Sequence, residues 1–382
     1  MEQKKRRRLF YSIVGVMAVL LAAIFIWTNT PRYSVRLGSI LWLTGEYRSY
    51  GEQFQEGANL AMSEIDKNND HELEIKFYDS EANKDKALEK LKILKEVDKI
   101  DFVVEIMGSG LALNAIPYVT ESKMLVISGV NTSPYFTLQH PKYFFRIIPS
   151  DGVAAQQLVN WAMDLSAQKA ALIYATDVWG IGLKDVVEKA YTQRGGRFVY
   201  LKDVEVNQTI YQPIVSSLKR ANADVTFLIM YPKDAALLLK EAGRQNVRTR
   251  FMGTDNFTGS EVIEVGGEGV DSVLFVIPSS ADTNNPKYRH FLELYNAKYG
   301  INKKPELFTM TAYDCVHLMY NAYKASDGDV EKARIYLANL DTDGATGHIK
   351  FDENNDIVVR NYARKMYLYD RKKRTATAID FR

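Results

Sequence analysis

The stretch DFVVEIMGSGLALNAIPYV, Asp101–Val119, reads as an apolar run, a Gly-Ser-Gly turn and a second apolar run of helical period. A short β-rich run that opens through glycines onto a helix is the unit from which parallel sheets are built. The first N–H groups of such a helix have no partner within it, so the turn also suits an anion.

The same alternation runs outward on both sides. Strand candidates begin at Val35, Leu73, Met124, Ala170, Phe198, Val225 and Ser272, and amphipathic stretches lie between them. In FQEGANLAMSEI, for instance, Phe54, Ala58, Ala61, Met62 and Ile65 share one helical face. This is βαβ repetition, hence an α/β fold with parallel sheet. Two stretches punctuate it. In FFRIIPSDG, Phe144–Gly152, an extended run meets a proline followed by a Ser/Asp helix start, and VIPSSADTNNP, Val276–Pro286, has similar marks. With 382 residues, two lobes with a cleft between them are expected.

Hydrophobic residues make up 46% and charged residues 25%, the ordinary globular mixture, which excludes a disordered chain. The net charge of +2 is uneven: Lys4, Lys5, Arg6, Arg7 and Arg8 against Glu2 put +4 on the first eight residues, and the rest of the chain is nearly balanced. No broad cationic field is left for nucleic acid. The basic run DRKKR, Asp370–Arg374, reads as a solvated edge.

Next comes LFYSIVGVMAVLLAAIFIW, Leu9–Trp27, which contains no charge. A helix of that length spans about 30 Å, enough for a bilayer core. Its apolar core exceeds that of a cleaved signal peptide and ends in bulky residues, so an uncleaved anchor is the expectation. Residues 1–8 would then be cytoplasmic, 9–27 the transmembrane helix, 28–34 a linker, and everything beyond extracytoplasmic. Cys315 is the only cysteine, so the folded part must stand without an internal disulfide.

Several chemistries have no support. The five histidines are scattered without metal-ligand spacing, and no GxxxxGK[ST] occurs. The Gly-Ser-Gly turn has Leu113 where a dinucleotide fingerprint needs glycine or alanine. Neither a cofactor nor a metal is expected, and an enzyme is disfavoured.

The segment LGSILWLTGEYRSYGEQFQEGANLAMSEIDKN, Leu37–Asn68, resembles the opening of type I periplasmic solute-binding proteins of the leucine/isoleucine/valine-binding type. It carries Thr44-Gly45, Tyr50-Gly51 and Gly57-Ala58-Asn59-Leu60-Ala61 in the family's order. The likeness continues through SGVNTSPYFT, FFRIIPSD, TDVWGIG, FMGTDN, TAYDCV and GHIKFDENNDI. The resemblance implies two Rossmann-like lobes with parallel sheets joined by three hinge crossings. The first would comprise residues 35–148 and 278–359, and the second 149–277 and 360–382.

By the same resemblance, Ser109 and Thr132 would hold the carboxylate of an amino acid, with Gly108 letting the backbone come close. Asp255, helped by Trp179, would hold its ammonium. Tyr50, Tyr231, Met107, Val130, Asn131 and, more weakly, Phe308 would pack on the side chain, and Asn131 leaves room for a polar one. Trp179 stands where the family often has tyrosine, so no phenolic oxygen is available there. The implied function is extracytoplasmic binding of an amino acid, with aliphatic or branched-chain types favoured, for ABC-type uptake with a permease partner. The alternative is a membrane-tethered sensor that passes occupancy to a partner protein.

Overall fold

The computed structural model describes residue 17 and residues 33–258, 260–278, 284–358 and 362–381. The expected span 9–27 lies outside the described residues apart from Met17. Among the described residues no helix is long and apolar enough to cross a membrane.

The chain opens with β1 (Val35–Leu41), α1 (Arg48–Ile65), β2 (Leu73–Asp79), α2 (Lys84–Glu96), β3 (Phe102–Ile106), α3 (Ser109–Glu121), β4 (Leu125–Ser128), α4 (Pro134–Gln139) and β5 (Phe144–Arg146). These five strands form an all-parallel sheet in the order β2-β1-β3-β4-β5. Their near-continuous apolar runs follow from this, because helices cover both faces of such a sheet. Leu91, Leu94, Ala112 and Ile116 pack on one face. Phe54, Ala58 and Ala61 pack on the other, together with Phe291 and Ala312 from later helices.

A second run follows: α5 (Asp151–Asp164), β6 (Lys169–Ala175), α6 (Val178–Gln193), β7 (Arg197–Val204), α7 (Gln212–Ala221), β8 (Val225–Ile229), α8 (Pro232–Arg244), β9 (Arg250–Gly253), α9 (Ser260–Gly266) and β10 (Leu274–Pro278). The chain then returns to the first lobe with α10 (Pro286–Tyr299), α11 (Leu307–Ser326), α12 (Val330–Ala338) and the hairpin β11 (Asp341–Gly344) and β12 (Gly347–Lys350). It ends back in the second lobe with β13 (Tyr362–Asp370) and β14 (Thr375–Asp380), giving the order β14-β13-β10-β9-β8-β6-β7. The chain therefore passes between the lobes three times.

The two C-terminal strands pair antiparallel, an addition to the parallel repetition read from the sequence. Strand β13 carries a mixed polar and aromatic pattern, YARKMYLYD, and the DRKKR run contains the turn after it.

Local chemistry sets where the helices begin. Asn83 accepts from the N–H groups of Asp85 and Lys86 at the start of α2, Ser133 caps α4, Ser150 caps α5 and Asp177 caps α6. In the GANLA motif, Gly57 lets α1 approach α11 closely, since a Cβ there would fall 1.9 Å from the carbonyl oxygen of Thr309.

Both strand orders contain a point where the connections diverge, between β1 and β3 in the first sheet and between β6 and β8 in the second. Open α/β sheets form their crevices outside the strand ends at such points. Here the residues beyond these ends are Trp42 and Gly108-Ser109 in the first lobe, and, in the second, Trp179 in the first turn of α6 and Tyr231 just after β8.

Candidate functional site

Strand β3 ends at Ile106, and the chain turns into α3 through Gly108, whose φ of +99° is costly for any residue with a side chain. Ser109 is the first residue of α3 and is 7% exposed. Its hydroxyl accepts a long hydrogen bond from the N–H of Ser133 at 3.4 Å. No side chain caps this helix start. Met107 is fully buried behind the turn.

Thr132 lies in the loop after β4, four residues beyond the strand's last residue rather than at its end. Its hydroxyl donates to Oδ2 of Asp151 at 2.5 Å, and the indole Nε1–H of Trp179 donates to the same oxygen at 2.6 Å. The carboxylate that joins these two expected ligand contacts belongs to Asp151, which is not among the residues expected to touch the ligand. Asp151 is the first residue of α5 and is 3% exposed. Burial, and next the charge of Asp255, push its carboxyl up to about 7. Asp255 itself follows β9 at the start of a short 3₁₀ turn, and burial raises its carboxyl too. Asp255 stands close enough to Asp151 to oppose its ionisation. A cation between them would relieve both.

The walls are aromatic. Tyr231 packs on Trp179 at 5.1 Å and donates its hydroxyl to Asp177 at 2.7 Å. Tyr47 reaches from the first lobe to within 5.0 Å of the Tyr231 ring, and its hydroxyl donates to Oδ1 of Asn207 at 3.3 Å. Tyr50 meets Phe308 edge-on at 5.3 Å. A cavity of about 40 Å³ between the lobes is lined by Tyr50, Asp255 and Phe308 among others. Glu46 and Lys233 face each other across the cleft at 3.5 Å.

Asn131 and Val130 sit in the same loop as Thr132 and have different surroundings. The Asn131 amide donates to Oε1 of Glu105 and to the carbonyl of Ile106, both at 2.8 Å. It is tied to the first lobe's interior through that nitrogen, while its Oδ1 has no partner among the described residues. Val130 is partly buried and packs against the first lobe's core. Glu105 is buried at φ +85° and also accepts from Ser128 and the N–H of Gly129. It pins the loop from below.

The structure thus gathers Thr132 and Trp179 on Asp151, gathers Tyr50 and Phe308 beside Asp255, and sets Gly108-Ser109 at the first lobe's strand ends. Among the residues missed, Asp151 had one signal: it follows Pro149-Ser150, read as a helix start. Ser150 performs the capping, accepting from the N–H of Gly152 at 3.3 Å, which frees the Asp151 carboxylate for the cleft.

The sequence pattern of the periplasmic binding protein family matches residues 34–374, so the chain belongs to that family. It is similar to Leu/Ile/Val-binding protein homolog 3 of Brucella melitensis, with 24% identity over 89% of this chain and 93% of that one. The leucine binding protein LivK of Thermotoga maritima superposes with a TM-score of 0.80 at 23% identity, covering 90% of this chain and 97% of that one. A solute-binding protein of an ABC transporter from R. palustris, in complex with benzoate, superposes with a TM-score of 0.78 at 18% identity, covering 90% and 95%. The two-lobed fold is common to all of these structures.

Proposed function

We propose that this member of the periplasmic binding protein family binds an amino acid between its lobes, with aliphatic and branched-chain side chains favoured, and delivers it to an ABC-type permease. The observation that carries the reading is the opposed polarity of the cleft. The first lobe offers the uncapped start of α3 at Ser109, and the second offers the buried carboxylate of Asp151 and the partly buried one of Asp255. A zwitterion complements both ends at once.

The benzoate-bound neighbour raises an aromatic acid as a competing ligand, and the rings of Tyr47, Tyr50, Tyr231 and Phe308 would suit one. Two carboxylates withdrawn from solvent, Asp151 fully and Asp255 in part, favour a ligand that brings a positive charge, so an amino acid is preferred over benzoate. The chain acts as a non-catalytic binder that closes when the ligand bridges the lobes. The uncharged run 9–27 after five basic residues supports tethering to the membrane, with the lobes on its extracytoplasmic side.

Calorimetric titration of the full chain with leucine, isoleucine, valine and benzoate tests the reading. Saturable binding of an aliphatic amino acid with no response to benzoate supports it. Binding of benzoate alone refutes it.

A further inference from the structure

The Gly108 turn is closed on one side by a tryptophan that carries an unused donor. Trp42 immediately follows β1, is 6% exposed, and packs its indole against Tyr47 at 5.1 Å and Tyr50 at 6.4 Å. Its Nε1–H has no hydrogen-bond partner among the described residues. An indole nitrogen is a donor only, and a buried one ordinarily finds an acceptor.

The position of this donor follows from the packing on glycine. A Cβ built on Gly108 would fall 2.4 Å from Cζ2 of Trp42 and 3.1 Å from Cε2, the atom that carries Nε1. The unpaired N–H therefore belongs to the indole edge that lies against the start of α3. That helix has thirteen residues, its first N–H groups lack intrahelical partners, and no side chain among the described residues caps it. Two sets of unsatisfied donors share the crevice between β1 and β3.

The other hydroxyl expected here is engaged elsewhere, because Thr132 donates to Asp151. We infer that Trp42 donates its indole N–H to the carboxylate of the bound ligand, jointly with the N–H groups at the start of α3. The inference rests on the amino-acid reading above and names the side chain that recognises the acidic end. Trp42 stands in the apolar run SILWL, where it reads from sequence as core.

Leucine serves as the probe, titrated by calorimetry into the full chain in detergent and into its W42F variant. Phenylalanine keeps an aromatic ring over Gly108 and removes the donor. The expected result is an affinity at least about tenfold lower in W42F, the usual effect of losing a hydrogen bond to a charged group. In the unsubstituted chain labelled with ¹⁵N, the Trp42 indole resonance, assigned from its proximity to the Gly108 α-protons, should move downfield when leucine is added.

Leucine binding within about twofold in W42F, or an indole resonance that stays put, overturns the inference and leaves the amino-acid reading intact. Failure of the unsubstituted chain to bind any amino acid removes both. Where W42F does not fold, the indole resonance of the unsubstituted chain decides alone.

Discussion

Thr132 and Asp151 are joined twice across the boundary between the lobes. The Thr132 hydroxyl donates to Oδ2 of Asp151 at 2.5 Å, and the Asp151 N–H donates to the Thr132 carbonyl at 2.8 Å. Thr132 belongs to the loop after β4 and Asp151 opens α5, immediately after the first crossing. A buried carboxylate at this place links the hinge region to the cleft. Whatever alters its charge should be felt in both binding and stability.

Replacing Asp151 by asparagine separates these effects. The D151N side chain keeps an oxygen that can accept from Thr132 and Trp179 and removes the charge. Affinity for an amino acid should fall at least about tenfold, as expected for a lost charge-assisted bond. Calorimetry on the two proteins measures it, and equal affinities would show that the ammonium is read elsewhere.

The same carboxyl predicts a pH dependence of folding. Its pKa rises from an unfolded value of 3.8 to about 7, because burial and Asp255 disfavour the anion. The folded chain therefore holds a proton that the unfolded chain releases, and this group's contribution to stability declines as pH rises from about 4 to about 7. Urea midpoints at pH 5 and pH 8 should differ less in D151N than in the parent chain. An unchanged difference would assign the dependence to other groups.

Asp255 acts on the site in two ways. D255A should weaken amino-acid binding by about tenfold or more, since one carboxylate facing the ammonium is gone. It also removes the second-largest influence raising the Asp151 carboxyl, so the decline in stability with pH should move to lower pH. Urea midpoints across pH 4 to 8 provide the check. A curve superimposable on the parent's would mean that the two acids are not coupled.

Much of this architecture was legible beforehand because periodicity reports burial directly. The candidate runs at Val35, Leu73, Asp101, Met124, Ala170, Phe198, Val225 and Ser272 all contain strands, since a parallel sheet covered on both faces needs continuous apolar segments. The site was legible only where a glycine or a family motif marked it. Trp42 was hidden because an indole inside SILWL looks like any core residue until its N–H is found without a partner. Asp151 was hidden because serine and aspartate both start helices, and only the backbone at Ser150, φ −62° and ψ 135°, decides which of them caps. Glu105 carried no signal either. An acid in DFVVEIM suggests an outward-facing position, whereas its φ of +85° turns it beneath the Thr132 loop.

The last prediction concerns the hinge. Arg146 ends β5, and its guanidinium is buried, donating through Nε and, at 2.8 Å, through Nη2 to Asp356, which pairs with the edge of the first sheet just before the third crossing. The same group donates to the Ser133 carbonyl at 2.8 Å and to Thr137 at 2.6 Å, and lies 5.5 Å from the Phe136 ring centre. Asp356 balances this charge, and the pair joins the segments that lead into the first and third crossings. D356A leaves a buried cation uncompensated, and loss of one member of such a pair costs about 3–5 kcal/mol. Urea denaturation of the full chain should show that loss. The double variant R146M/D356A, which removes the charge as well, should recover much of it. A D356A cost below about 1 kcal/mol would mean that the Ser133 carbonyl and Thr137 satisfy the guanidinium without Asp356.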